Sequence, residues 1–310
     1  MGKKKNNRNK GANWRISTGT LIVFLLPFFS LLFLIKVLPI FMNFGYSLMD
    51  MDLVRTRGFI GFRNYTTLFR DPHFYNVLRN TFQYLLYVGP INIVFGFFLA
   101  LLLNSKLKGR IIARSAIFLP YVLMITVVGI TWRWLLDGRN GLVNQIFSLL
   151  NIEPIFFLSR DNTAMLGVAI ASIWWTIGYN TVIYLAALQD IPRELLESAE
   201  LDGAGPLTKV FRIIIPLVKN TSFFVVITTF IYSMQMFGQV YVMTGGGPNF
   251  KTLSFVQYIY IKGFREFRLG YAAAIGVVLF IIIIILSGII FLLFRDWSPS
   301  ERKPKTMGAK

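Results

Sequence analysis

The sequence predicts an all-α integral membrane protein with about six transmembrane helices. Three observations carry this. Hydrophobic residues make up 55% of the chain and charged residues only 15%, a balance that suits a chain whose solvent is partly lipid. Apolar runs of roughly the 20 residues needed to cross the hydrocarbon core recur at about 18–38, 82–103, 111–135, 165–188, 217–241 and 271–294. The run at 280–294, FIIIIILSGIIFLLF, lacks the alternation of a barrel strand. Lipid satisfies no backbone hydrogen bonds, so helices remain.

The first run follows Lys3, Lys4, Lys5, Arg8, Lys10 and Arg15, a basic start that also precedes signal peptides. It is too long for a signal core, and no small-residue cleavage site follows it, so it reads as an uncleaved span. Residues 1–17 are then a basic cytoplasmic tail, 18–294 the membrane domain, and 295–310 a second cytoplasmic tail. The net charge of +18 could suit nucleic acid. The basic residues, however, lie between apolar runs and form no basic domain. Segments on the N-terminal side of the membrane hold 19 Lys and Arg, against 11 on the other side. That asymmetry predicts that both termini are cytoplasmic. Lys36 and Arg133 fall near the outer ends of their runs and read as snorkelling anchors.

The loop at 190–216 is the most informative stretch. Asp190 and Pro192 are helix-start signals, and Glu194, Glu197 and Glu200 occupy the first turns. Gly203 ends that helix. Gly205-Pro206 opens a second, with Val210, Phe211 and Ile214 at amphipathic spacing, and Pro216 is expected to stop it before the next span. Such a helix–turn–helix either projects as a knob that fits a partner's groove or lies on the bilayer. Periodicity alone leaves both open.

Glu197-Ser198-Ala199, then Asp202-Gly203-Ala204, then Ile215-Pro216 resembles the EAA loop of ABC importer permeases. Ser198 replaces the usual Ala, and Ile215 the usual Leu. The resemblance implies that this loop docks into a cleft on a cytoplasmic ATPase. Glu197 would be the polar contact and Gly203 would permit the bend. The likeness extends along the chain. It is closest to permease subunits of the maltose and glycerol-3-phosphate type. Residues 59–65 with Asp71 and Phe74 resemble their first external loop. Ala100, Asn104, Arg114, Leu119 and Pro120 resemble their second and third spans, and Gly141 and Asn144 the loop after them. Residues 186–192 resemble the lead into the EAA loop, and 270–272 the start of the last span. Thr244, Gly245, Gly246, Gly247 and Pro248, with Thr252, resemble the external loop after the fifth span and point to the first subunit of a permease heterodimer. The family implies a type I importer architecture in the bacterial cytoplasmic membrane. Its partners would be a second homologous permease, an ATPase dimer that carries ATP and Mg, and an extracytoplasmic binding protein.

Span five carries Thr221, Thr228, Tyr232, Gln235 and Gln239 at offsets of 7, 4, 3 and 4, one face of a continuous helix. Span four offers Trp175 and Tyr179 with Asn180 beside them, after Ser172. Polar groups in lipid must face protein or water. Amides bond sugar hydroxyls and aromatic faces stack on sugar rings, so these residues are candidates for a substrate pathway. The alternative is that they join helices to one another. No phosphate-binding loop GxxxxGK[ST] occurs, Cys is absent, and His73 is the only His, read here as a solvated loop residue. Carboxylates are sparse within the spans, against a proton-coupled carrier, and no nucleophile–base pair stands out, against an intramembrane enzyme. These absences leave a subunit expected to have no chemistry or cofactor of its own, and the resemblance implies that it imports a sugar. Glycerol-3-phosphate or its diesters are the alternative solute.

Overall fold

The computed structural model describes residues 18–105 and 108–295. The tails over 1–17 and 296–310 lie outside that range, and so does Lys106. Two compact units divide at Gly45 and Tyr46. In the first, α1 (Thr18–Leu32) passes through a π turn (Phe33–Val37) into α2 (Leu38–Ser47). The helix therefore outruns the expected end at residue 38, and Lys36 lies in the π turn rather than at a helix end.

The second unit opens with a small antiparallel hairpin, β1 (Met49–Met51) and β2 (Thr56–Phe59). This is a departure from an all-helical chain. It is followed by α3 (Arg63–Phe69) and the 33-residue α4 (Pro72–Asn104). Asp71 caps α4 by accepting the His73 N–H, with Pro72 at the first helical position. His73 thus sits in the first turn of α4, half-buried with its ring edge against Phe250, and not in a solvated loop.

The third expected span is two helices. α5 (Arg110–Val122) and α6 (Ile125–Leu135) meet at 99° across the extended residues Leu123 and Met124. Pro120 lies just before this break, where its missing N–H already weakens the helical ladder. α7 (Leu142–Leu149) is a short helix in the following loop, and α8 (Ala164–Gln189) is a single long span.

The loop after α8 forms α9 (Arg193–Leu201), α10 (Pro206–Lys209), a π turn (Val210–Ile214) and α11 (Ile215–Leu217). Pro216 does not stop this helix. The preceding π turn leaves room for its ring, and the chain turns instead at Val218, by 73°, into α12 (Lys219–Met234). The fifth expected span is also interrupted. α12 ends at Met234, residues 235–237 are non-helical, and α13 (Gly238–Met243) follows. α14 (Phe255–Tyr260), a π turn (Ile261–Arg265) and α15 (Leu269–Arg295) complete the chain. Among the described residues, four helices are long and apolar enough to cross a membrane, or up to six if each bent pair counts as one span.

Small residues set the packing of the second unit. A Cβ on Gly178 of α8 would lie 2.1 Å from the Ile117 carbonyl oxygen of α5, and one on Gly96 of α4 would lie 3.2 Å from the Asn180 Cβ. Helices in lipid gain nothing from hydrophobic exclusion and rely on such close approach. α8 is accordingly wedged between α4 and α5 with backbones almost in contact.

Candidate functional site

The two broken spans converge on one cavity of about 280 Å³, just under the roughly 300 Å³ at which ligand pockets begin. Tyr84, Val88 and Asn92 of α4 form one wall. Trp175, Thr176, Tyr179 and Asn180 of α8 form another, with Tyr121 and Ile125 flanking the first break. Thr229, Tyr232 and Ser233 of α12, then Gln235, Met236, Phe237, Gly238 and Gln239 around the second break, close it. The breaks touch: a Cβ on Gly238 would meet Ile125 at 3.0 Å, and one on Gly129 of α6 would meet Val242 of α13 at 2.8 Å. The Trp175 indole N–H donates to the Leu123 carbonyl at 3.2 Å, which satisfies a backbone group that the first break frees.

The wall chemistry is amides and aromatic faces. The Tyr121 and Tyr179 rings stack at 4.8 Å, with Trp175 at 6.0 Å from Tyr121. Asn180 Nδ2 donates to Thr229 Oγ1 at 3.0 Å, and Asn92 Nδ2 to Thr176 Oγ1 at 2.8 Å. The Asn92 carbonyl oxygen is buried and has no hydrogen-bond partner among the described residues. Tyr232 is 64% exposed, and Gln235 is exposed beside it. Of the candidates read from the sequence, Tyr232, Gln235, Gln239, Trp175, Tyr179 and Asn180 line the cavity. They do not share one continuous helical face, since the helix stops at Met234. Thr228 is not on the wall. Its hydroxyl donates back to the Phe224 carbonyl at 2.7 Å, and Thr229 takes the lining position. Tyr121, Asn92 and Phe237 escaped the sequence reading. Pro120 beside Tyr121, and a lone amide at 92 in an apolar run, were the available signals.

The loop at 190–216 is built by a glycine cap. Gly203 has φ +80°, a left-handed conformation that only residues without Cβ adopt freely. Its N–H bonds the Glu200 carbonyl at 3.0 Å, and the Ala204 N–H reaches back to the Ala199 carbonyl at 2.9 Å. These are the two bonds of a Schellman motif, which a hydrophobic contact between the third-last helical position and the residue past the cap often accompanies. Ala199 and Ala204 occupy those positions. Ala199 is buried, whereas Glu197, Ser198, Asp202 and Pro216 are exposed. Lys209 Nζ bonds Glu200 at 2.6 Å across the two arms and holds its carboxyl below the usual range. Val210, Ile214 and Ile215 pack against the buried cluster that holds Leu103, Leu188 and Val218, while Phe211 stays exposed.

Residues 92–299 match the model of the family described as binding-protein-dependent transport system inner membrane component. The chain belongs to this family of transport permeases. Two curated relatives agree. The permease is 34% identical over 263 residues to the sulfoquinovosyl glycerol transport system permease protein SmoG of Agrobacterium fabrum, covering 84% of this chain and 85% of the relative. It is 32% identical over 271 residues to the arabinooligosaccharides transport system permease protein AraP of Bacillus subtilis, covering 86% and 85%. One solved chain, from a bacterial ABC transporter that imports the acidic polysaccharide alginate, shares its fold. The TM-score is 0.76 at 22% identity, over 89% of this chain and 95% of that one.

In the loop after α13, Gly246, Gly247 and Pro248 form a tight turn. Gly245 and Gly246 have φ of +64° and +96°. The Thr252 hydroxyl donates to the Gly247 carbonyl at 2.7 Å, and Asn249 Nδ2 reaches Asp161 at 3.1 Å. Asp71 accepts from the Tyr258 phenol and, at 3.0 Å, from the Tyr271 phenol. Partial burial pushes the Asp71 carboxyl up, but the Tyr258 phenol, the His73 amide and the Tyr271 phenol outweigh it and hold it below its usual value.

Proposed function

We propose that this permease is one of two homologous membrane subunits of an ATP-driven importer, and that its cavity passes a sugar delivered by an extracytoplasmic binding protein. The observation that carries the reading is the cavity wall: stacked phenol and indole faces beside the amides of Asn92, Asn180, Gln235 and Gln239. Apolar faces of sugar rings stack on such aromatics, and amides serve both donor and acceptor hydroxyls. The relatives that transport sulfoquinovosyl glycerol and arabinooligosaccharides support it. The lining residues include no Lys or Arg, which disfavours a bare phosphate ester as cargo. The glycine-capped loop seats on a cytoplasmic ATPase, which holds ATP and Mg; this chain binds neither.

The test is copurification followed by uptake. The chain should copurify with a second permease and an ATPase. The reconstituted complex, with its binding protein, is offered radiolabelled arabinotriose, maltotriose, sulfoquinovosyl glycerol and sn-glycerol-3-phosphate. Uptake of a glycoside is expected; uptake of glycerol-3-phosphate alone would overturn the carbohydrate reading. Gln235→Ala removes a hydrogen bond worth about 1 kcal/mol, so the assembled variant should import roughly fivefold more slowly. Tyr232→Ala loses a stacking face worth about 0.5–1.5 kcal/mol. Val226→Ala is the control. If Gln235 and Tyr232 merely joined helices, assembly would fall and transport per assembled complex would not.

Orientation is checked separately. The 19-to-11 excess of basic residues supports an orientation with both termini in the cytoplasm. The chain has no native Cys, so Ser198→Cys and Asn249→Cys report alone. An impermeant thiol reagent on intact cells should label the second and spare the first. Labelling of both would end the proposed topology.

A further inference from the structure

The Phe237 wall of the cavity continues into further aromatic rings. Phe237 stacks on Tyr241 at 5.2 Å with ring planes 24° apart. Tyr260 touches both of these rings, Tyr241 edge-on at 5.7 Å and Phe237 at 5.7 Å and 59°, and it stacks on Phe264 at 5.9 Å and 27°. The π turn at Ile261–Arg265 brings Tyr260 and Phe264 onto one line, and Gly263, buried within 3.2 Å of the Ala272 Cβ for any added carbon, pins that turn to α15. Arg265 lies beside the inner rings, with its guanidinium carbon 5.7 Å from the Tyr260 ring centre and Nη2 3.5 Å from the Tyr241 hydroxyl. The next residues, Glu266, Phe267 and Arg268, line a polar notch with the hairpin residues Asp52 and Arg57. A cluster of three touching rings, extended by Phe264, thus continues from the cavity wall toward this notch. It is not core: Phe264 is 58% exposed and Tyr241 39%.

We propose that Phe237, Tyr241, Tyr260 and Phe264 form an entry track on which sugar rings slide, apolar face to aromatic face, from the hairpin end into the cavity. The proposal rests on the carbohydrate reading above. A chain of similar weak sites passes a ligand without trapping it, and stacking is tolerant of which sugar face arrives, unlike a fixed set of hydrogen bonds. Arg265 adds a donor beside Tyr241 and Tyr260, within reach of a hydroxyl or carboxylate of a glycoside on these rings. Two other duties are possible for exposed rings: anchoring at the lipid interface, or covering by the second permease.

The complete transporter in proteoliposomes, supplied with whichever glycoside of the panel the wild type imports, separates them. Tyr260→Leu and Phe264→Leu keep apolar bulk and remove the ring. Both should assemble normally, yet initial uptake at low substrate should fall about three- to tenfold. ATP hydrolysis stimulated by the binding protein should stay within about twofold of wild type. Tyr260→Phe should import like the wild type. Wild-type uptake by the assembled Leu variants overturns the track. So does a loss of uptake that matches a loss of assembled complex, which assigns the rings to lipid or to the second subunit. If the wild type imports no glycoside, the carbohydrate reading fails and the track with it. Glycoside import with indifferent Leu variants removes the track alone.

Discussion

Glu197→Lys and Gly203→Val are each expected to abolish uptake while the protein reaches the membrane with its cavity intact. The loop at 190–216 owes its shape to Gly203 at φ +80°. An L-residue there costs roughly 1–2 kcal/mol, and a β-branched one more. No atom lies within 4 Å of a Cβ added at this position, so the effect is on backbone shape and not on packing. Valine would release the two bonds that join Gly203 and Ala204 to the end of α9, and the angle between α9 and α10 would drift. Asn tolerates the left-handed region, so Gly203→Asn should keep part of the uptake. Glu197 acts differently. It is exposed, and its reversal to Lys alters the charge on the surface proposed to meet the ATPase without touching the fold. Pull-down of the ATPase on the solubilised permease, beside uptake, distinguishes the two. Normal uptake in both variants would remove the loop from coupling.

Gly178→Val is the substitution expected to damage the fold most. The added Cβ would lie 2.1 Å from the Ile117 carbonyl oxygen and 3.0 Å from the Phe118 Cα. Both are backbone, so no rotamer escapes the clash and α5 must move off α8. Even Gly178→Ala should cost about 1–3 kcal/mol, the usual range for overpacking. That displacement would also part the Tyr121–Tyr179 stack and the Trp175–Leu123 hydrogen bond, so the cavity is lost along with stability. Gly288 in α15 is the matched control: nothing lies within 4 Å of its added Cβ, and Gly288→Ala should be neutral or slightly stabilising. Thermal melts of the solubilised variants compare them. Equal melting of Gly178→Ala and Gly288→Ala would refute the close-packing account.

The membrane class, the position of each apolar run and the glycine-capped loop were legible because each rests on local chemistry. Hydropathy marks a run wherever it lies, and Gly203 followed by Gly205-Pro206 ends one helix and starts another by backbone geometry alone. The two breaks were not legible. Leu123 and Met124 are as apolar as their neighbours, so the run at 111–135 looks unbroken although Pro120 stands just before the turn. In the run at 217–241 the spacing of Thr228, Tyr232, Gln235 and Gln239 fits one helix and hides the gap at 235–237. Gln235 and Gln239 reach the same cavity by a different backbone. Which neighbour of a pair faces inward, Thr228 or Thr229, depends on how α12 is rotated against α4 and α8. No single helix's sequence encodes that. The hairpin at 49–59 carries too few residues to show a period.

The corner at Val218 has a mechanical consequence. The arm formed by α10, the π turn and α11 belongs to the loop proposed to meet the ATPase, and it turns 73° into α12. Val218 is buried in the cluster that also holds Leu103, Leu188 and Val225, so the corner can serve as a fulcrum. The 16 residues of α12 make a rod of about 24 Å, and its far end is the break that carries Gln235 and Phe237. A tilt of about 5° at the fulcrum displaces that end by about 2 Å, for a rod of this rise per residue. A movement of that size is enough to change which residues reach across the cavity. Force applied at the loop and the width of the cavity are thus linked by one helix, with no relay of side chains between them.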